Sequence, residues 1–151
     1  MKAPLLLASA CLCGTPCRYD GRAAPHPELV RLFEQGLALP VCPEVDGGLA
    51  APRPPFELRA GRAVDKDGRD VTEQVLAGAE QALELARRHK IRLAVLKERS
   101  PSCGSKRIYD GTFSGRVVAG QGLAAARLAE GGLTVVNEDE CAAALAALLL
   151  S

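Results

Sequence analysis

Three short apolar runs, over residues 5–10, 37–41 and 93–96, each lead into a cysteine: Cys11, Cys42 and, a few positions further on, Cys103. Continuous apolar runs of strand length are expected of strands covered on both faces, which is the situation of a parallel sheet between two layers of helices. The cysteines lie about thirty and sixty residues apart along the chain, so only the fold can unite them. Parallel sheets do this, because the carboxyl ends of their strands share one edge.

The segments between the runs agree with that architecture. After a polar loop over 11–21, Pro27 stands at a plausible first helical position, Leu29, Val30, Leu32 and Phe33 follow, and Gly36 marks a stop. Strand, loop, helix and strand make a βαβ unit that ends at Cys42-Pro43-Glu44. Residues 46–69 carry paired glycines, several prolines and mixed charge without a sustained period, and are expected to form a long loop. Asp70 with Glu73 three positions on suggests a helix start, and Val71, Val75, Leu76, Ala79, Leu83 and Ala86 recur on one face. The run Arg87-Arg88-His89-Lys90 then falls in the last turn, where the helix dipole favours positive charge.

A third strand over 93–96 passes through Lys97-Glu98-Arg99 into Ser100-Pro101-Ser102-Cys103-Gly104, a turn-rich segment that cannot continue a central strand. A second loop to about residue 120 precedes a helix over 123–130, a strand over 133–136 and a final helix. Asn137 with Glu140 caps that helix, and Cys141, Leu145, Leu148 and Leu149 are assigned to its inner face. His26 and His89 read as helix-end residues. The expected fold class is α/β, one domain over residues 1–151, a single three-layer Rossmann-like sandwich with a mostly parallel sheet.

Composition narrows the partner. Nineteen basic against eighteen acidic side chains leave a formal charge of +1, which gives no broad footprint for nucleic acid or an anionic membrane. With three Phe, two Tyr and no Trp, a stacking platform for single strands is poorly supplied. No segment reaches the ~20 apolar residues of a membrane span. Lys2, the apolar run and Cys11 imitate a short lipoprotein-type signal, but Pro4 interrupts the run and Ala8 stands where a larger aliphatic residue is expected. A buried first strand, a cytoplasmic chain, reduced thiols and a small-molecule ligand are the expectations.

Three thiolates at strand ends would suit zinc, an iron-sulfur cluster or plain core packing. Structural zinc takes four protein ligands, often in Cys-x-x-Cys pairs, and no such pair is present. Three soft ligands suit an iron-sulfur cluster at least as well and leave one iron open to chemistry. Each cysteine has polar company: Arg18 and Asp20 after Cys11, Glu44 after Cys42, Ser100 and Ser102 before Cys103. A carboxylate beside buried strand ends must be paired or functional, which makes Glu44 the candidate base.

The segments Ser9-Ala10-Cys11-Leu12, Cys17-Arg18-Tyr19-Asp20-Gly21, Cys42-Pro43-Glu44-Val45, Pro52-Arg53, Ser100-Pro101-Ser102-Cys103-Gly104 and Tyr109-Asp110-Gly111-Thr112-Phe113 occur in that order. Together they resemble the thiouracil desulfidase family over nearly the whole chain. The resemblance implies a [4Fe-4S] cluster held by Cys11, Cys42 and Cys103, with a thiocarbonyl sulfur on the fourth iron. It also implies Glu44 as general base or proton relay, Ser102 as a group that hydrogen-bonds or shuttles a proton at the substrate, and non-redox release of hydrogen sulfide. Arg53, Lys97, Arg99 and Tyr109, assigned to the same region, would bind a pyrimidine edge or form exposed salt bridges. Cys13 departs from the family pattern, creating a Cys11-x-Cys13-x-x-x-Cys17 set, and is expected to pack against the loop, with Cys17 either next to the ligand cysteines or simply a loop residue. Two alternatives stand beside this reading: a metal-binding sensor without catalysis, and a desulfidase of another thioamide or thionucleoside.

Overall fold

A computed structural model describes residues 3–150. In chain order the elements are β1 (Leu6–Ser9), a 3-10 turn (Ala10–Cys13), α1 (Pro27–Glu34), β2 (Ala38–Val41), α2 (Pro43–Asp46), β3 (Phe56–Arg59), β4 (Arg62–Asp65) and α3 (Thr72–Arg88). They continue with β5 (Leu93–Leu96), β6 (Arg107–Tyr109), β7 (Val117–Ala119), α4 (Leu123–Glu130), β8 (Thr134–Asn137), a second 3-10 turn (Glu138–Glu140) and α5 (Cys141–Leu150).

Four strands form one parallel sheet in the order β2-β1-β5-β8. The period-2 alternation of side chains divides its residues between two cores. Leu6, Ala8, Leu93 and Val95 pack with Leu29 and Leu32 of α1 and Cys141 of α5. Leu7, Ala94 and Leu96 pack with Ala82, Leu83 and Ala86 of α3 and Ala125 and Leu128 of α4. Both faces are covered, which is why β1 and β5 are continuous apolar runs, and the three-layer α/β sandwich is the expected one. Among the described residues no helix is long and apolar enough to cross a membrane.

The two expected loops contain structure of their own. Residues 56–65 form an antiparallel hairpin, β3 with β4, whose connection Ala60-Gly61 has positive φ at both positions, 50° and 77°. Such primed turns normally announce themselves by Asn-Gly or Asp-Gly, and here the first residue is alanine. A second hairpin, β6 with β7, occupies part of the loop expected to run to residue 120.

Other details shift. α3 begins at Thr72 after Val71, without the expected box. Asp70 Oδ1 instead accepts from the Thr72 amide at 2.9 Å, and Thr72 Oγ1 accepts from the Ala63 amide at 2.8 Å, tying the helix to the hairpin. Leu76, assigned to the inner face, is 38% exposed, as is 65% of Leu149 at the end of α5. The Asn137 cap forms as expected: its side chain accepts from the Asp139 and Glu140 amides while Glu140 Oε1 accepts from the Asn137 amide.

Candidate active site

From β1 the chain turns through α1 to β2 on one side, and from β5 it continues through α4 to β8 on the other, so neighbouring β1 and β5 flank the point where the winding reverses. Ligands of open α/β sheets bind beyond the strand carboxyl ends at such a point. A cavity of about 560 Å³ opens there, lined by Cys11, Cys17, Cys42 and Cys103 together with Glu44 and Ser102.

Each functional side chain is held by local backbone chemistry. Cys11 lies in the 3-10 turn that closes β1, which ends at Gly14 with φ 105°. Cys42 is the residue before α2, where Pro43 at the first helical position fixes the start, and its amide donates to Asp46 Oδ2 at 3.0 Å. Glu44 follows on that helical turn. Cys103 and Ser102 are set by Ser100, whose Oγ accepts from both amides at 3.0 and 3.2 Å.

The turn carrying them is anchored from beneath by Glu98, only 4% exposed. Its Oε1 accepts from the amides of Arg99, Ser105, Lys106 and Arg107, and its Oε2 from Asn137 Nδ2 at 2.8 Å. Burial alone would raise the Glu98 carboxyl, but the bonds from Asn137 and the amides outweigh it and hold it below the usual carboxylate range.

Glu44 is buried and fully engaged. Ser102 Oγ donates to its Oε2 at 2.6 Å, and Arg53 Nε donates to its Oε1 at 2.8 Å, with Nη2 of the same ion pair 2.7 Å away. The same guanidinium reaches the carbonyls of Ala50 and Cys17, each at 2.9 Å. Arg53 therefore departs from its expected roles, a pyrimidine edge or an exposed ion pair, because all of its nitrogens are committed inside the protein. Lys97 lines the cavity and pairs with Glu138 at 3.0 Å, and Arg99 and Tyr109 also line it.

The thiols share one electrostatic problem. Burial, with the nearby Cys42 and Glu44, pushes Cys103 up to about 12, against hydrogen bonds from Ser9 and Ser102 that lower it. Cys17 is pushed up to about 11, first by its contact with the Cys11 sulfur, and Cys42 is raised by its contact with Cys17 and by burial. Such thiols stay protonated unless a cation ionises them, and metal coordination does that outright.

Among the described residues no three His, Cys, Asp or Glu side chains are placed to hold a single metal ion. The cysteines instead border a cavity, a donor set suited to a body with several metal atoms. Cys11, Cys42 and Cys103 all border it, whereas Cys13, 4% exposed, packs into the core beside α1, and Cys141 is core as expected. Cys17, expected either next to the ligand cysteines or as a loop residue, lines the cavity in contact with Cys11 and Cys42. Phe56 and Glu57 of the hairpin also reach the cavity. Neither had a signal in the sequence, since the hairpin that delivers them had none.

Fold and site define a doubly wound α/β protein whose cavity at the strand carboxyl ends joins soft thiol donors to buried, hydrogen-bonded carboxylates, Glu44 among them. The chain belongs to the 2-thiouracil desulfurase family, whose family model matches residues 6–140. It is similar to a solved structure titled [4Fe-4S]-dependent thiouracil desulfidase TudS, with 45% identity, a TM-score of 0.92, and coverage of 98% of this chain and 99% of that one. It is also 39% identical over 146 residues to the uncharacterized protein YbbK of Bacillus subtilis (strain 168), covering 90% of this chain and 97% of that protein.

Proposed function

We propose that this chain, acting as one desulfidase domain, removes sulfur from a small thiolated pyrimidine such as 2-thiouracil, exchanging C=S and water for C=O and hydrogen sulfide without net redox change. Cys11, Cys42 and Cys103 hold a [4Fe-4S] cluster in this reading. The three thiols fit that group because they border one cavity beyond the carboxyl ends of the strands and because thiol sulfur is a soft donor of the kind iron-sulfur clusters take. When bound, the cluster supplies a Lewis-acidic iron without a protein ligand, which favours a thiocarbonyl sulfur over a carbonyl oxygen.

The protein's own groups do the rest. Glu44 takes a proton from water at its carboxylate and Ser102 passes or holds one through its 2.6 Å bond to Glu44 Oε2, a separation suited to general acid-base work. Arg53 keeps Glu44 in place when no substrate is present. Glu98 fixes the turn that presents Ser102 and Cys103.

The observation that carries the reading is the Ser102–Glu44–Arg53 chain opening on a cysteine-bordered cavity. A sensor would need the thiols but not a buried carboxylate with a hydroxyl donor, so catalysis is favoured over the regulatory alternative. The cavity of about 560 Å³ has to hold both the cluster and the ring, and a thiolated nucleoside stands as the second substrate class.

The test is anaerobic loading with iron and sulfide. About four irons per chain and sulfide released from 2-thiouracil are expected, and Glu44→Gln should keep the iron and lose turnover. Replacing Cys11, Cys42 or Cys103 by Ala should lose iron, whereas Cys13→Ala should keep it. One zinc per chain without acid-labile sulfide would sink the enzyme reading. Sulfide release from a thiouridine, compared with 2-thiouracil, separates the two substrate classes.

A further inference from the structure

This chain has only five aromatic side chains, three Phe and two Tyr, with no Trp. Four of them, Tyr19, Phe56, Tyr109 and Phe113, line the same cavity as the cysteines. The two cores around the main sheet are built from aliphatic residues and cysteine. A protein that folds without aromatic residues in its main cores and concentrates them at one opening has provided for a flat, polarisable ligand.

Phe113 is the most heavily supported of the four. Its backbone is left-handed, φ 57°, a conformation that a bulky residue adopts only when its surroundings impose it. The support comes from β3. Glu57, 8% exposed, accepts from the Gly111 amide at 2.9 Å and the Phe113 amide at 3.1 Å through one oxygen, Oε1. Arg59 Nε donates to the Gly111 carbonyl at 2.7 Å, and its guanidinium carbon stands 5.6 Å from the centre of the Phe113 ring. A side chain on Gly111 would put its Cβ 2.7 Å from the Leu58 carbonyl oxygen, so glycine alone lets the loop dock this closely. Arg59 does not border the cavity and Phe113 does. The guanidinium therefore supports the ring without itself bordering the opening. A buried carboxylate, an arginine and a strained backbone are all committed to presenting one phenyl group.

We propose that Phe113 is the stacking surface for the heteroaromatic ring of the substrate, with Glu57 as its positioning residue, so that the pair sets the preference for ring substrates. The proposal rests on the desulfidase reading for its substrate class, and deepens it by naming what holds the ring. Stacking of a base on an aromatic side chain is lost on truncation with a cost equivalent to roughly tenfold to more than a hundredfold in affinity.

Uracil, the product ring without the reactive sulfur, is the probe. Calorimetric titration into the cluster-loaded protein reads ring binding without turnover, so it remains informative if no sulfide is released. Phe113→Leu should weaken uracil binding at least tenfold and raise the KM for 2-thiouracil in proportion, with kcat, iron content and unfolding midpoint near their original values. Phe113→Tyr should keep wild-type affinity. Glu57→Ala should reproduce the affinity loss, and Glu57→Gln, which retains an acceptor oxygen for the two amides, should restore most of it. Unchanged uracil affinity in Phe113→Leu, no measurable uracil binding by the wild type, or equal losses in the Tyr and Leu variants would overturn the proposal. Absence of sulfide release with uracil binding intact would overturn the desulfidase reading and leave the ring-binding assignment standing.

Discussion

Arg53 and Glu44 form a buried ion pair, their side chains 7% and 11% exposed, and the guanidinium that neutralises the carboxylate is also bonded to the Cys17 carbonyl at 2.9 Å. One side chain thus joins the loop after β1, the turn after β2 and the candidate base. Removing one partner of a buried pair leaves the other uncompensated, at a cost of about 3–5 kcal/mol. Arg53→Ala is expected to lower the unfolding free energy by that order. Arg53→Lys should lose less, because it keeps the charge and gives up the forked geometry. Denaturant unfolding of the three proteins checks the ranking, and equal stability of Arg53→Ala and the parent would show that the pair is not formed in solution.

Ser102 isolates the chemistry from the scaffold. Its Oγ donates to Glu44 Oε2 at 2.6 Å and lies 3.8 Å from Cys103 Sγ, while Ser100, not Ser102, holds the local backbone. Ser102→Ala should therefore retain iron and lose about 1.5–3 kcal/mol of stability, the usual worth of a hydrogen bond to a charged group. Turnover should fall by about 10²-fold or more, as expected when a positioned proton-transfer group is removed. Steady-state kinetics beside an iron assay provide the check. Loss of iron in parallel with activity would reassign Ser102 to the scaffold.

The main sheet was legible because strands buried on both faces must be mostly apolar, and β5 and, up to Ser9, β1 are. The cysteines that end these runs could be placed on one edge by topology alone. The Asn137 cap was legible because its partners lie within three residues. The β3–β4 hairpin escaped because each strand has four residues and its turn uses Ala60, which accepts positive φ without the asparagine or aspartate that would have advertised it. Arg53 was assigned to the right region and the wrong task, since its pairing with Glu44 depends on how the loop over 47–53 folds back. Cys17 had two readings for a similar reason: contact between the sulfurs of a loop residue and two strand-end residues is a tertiary fact without a local pattern.

Gly78 in the middle of α3 reverses an ordinary rule. Glycine in a helix interior is worse than alanine by about 1 kcal/mol, so Gly→Ala normally stabilises. Here an added Cβ would stand 1.8 Å from the Pro43 carbonyl oxygen, and on the facing turn a Cβ on Gly47 would stand 1.7 Å from the Gln74 carbonyl oxygen. α2 and α3 therefore meet backbone to backbone, and this contact seats Pro43 and, one residue on, Glu44. Gly78→Ala should force the two apart and destabilise by about 1–3 kcal/mol, as overpacking does. Turnover should fall further than stability, because Glu44 moves with α2. A thermal shift and a turnover assay test this, and a stabilised Gly78→Ala protein would refute the contact.

Glu98 gives a prediction whose sign depends on pH. Its folded-state carboxyl is held below the usual range, burial being outweighed by the Asn137 amide and the neighbouring backbone N–H groups. A depressed folded value means that the group's stabilising contribution is complete above the unfolded carboxylate value of about 4.3 and is lost as pH falls through the lower folded value. Glu98→Gln should accordingly be less stable than the parent at pH 7, and the gap should narrow as both are acidified below about pH 4. Asp70, held near 2 by Thr72 and Arg62, and Glu140, held low first by Lys106, titrate in the same acid range. They are present in both proteins, so the difference between the two unfolding curves reports Glu98 alone. Because Glu98 fixes the turn that carries Cys103, iron loading at neutral pH should fall with stability in Glu98→Gln. A stability gap that widens on acidification would contradict the assigned direction of the shift.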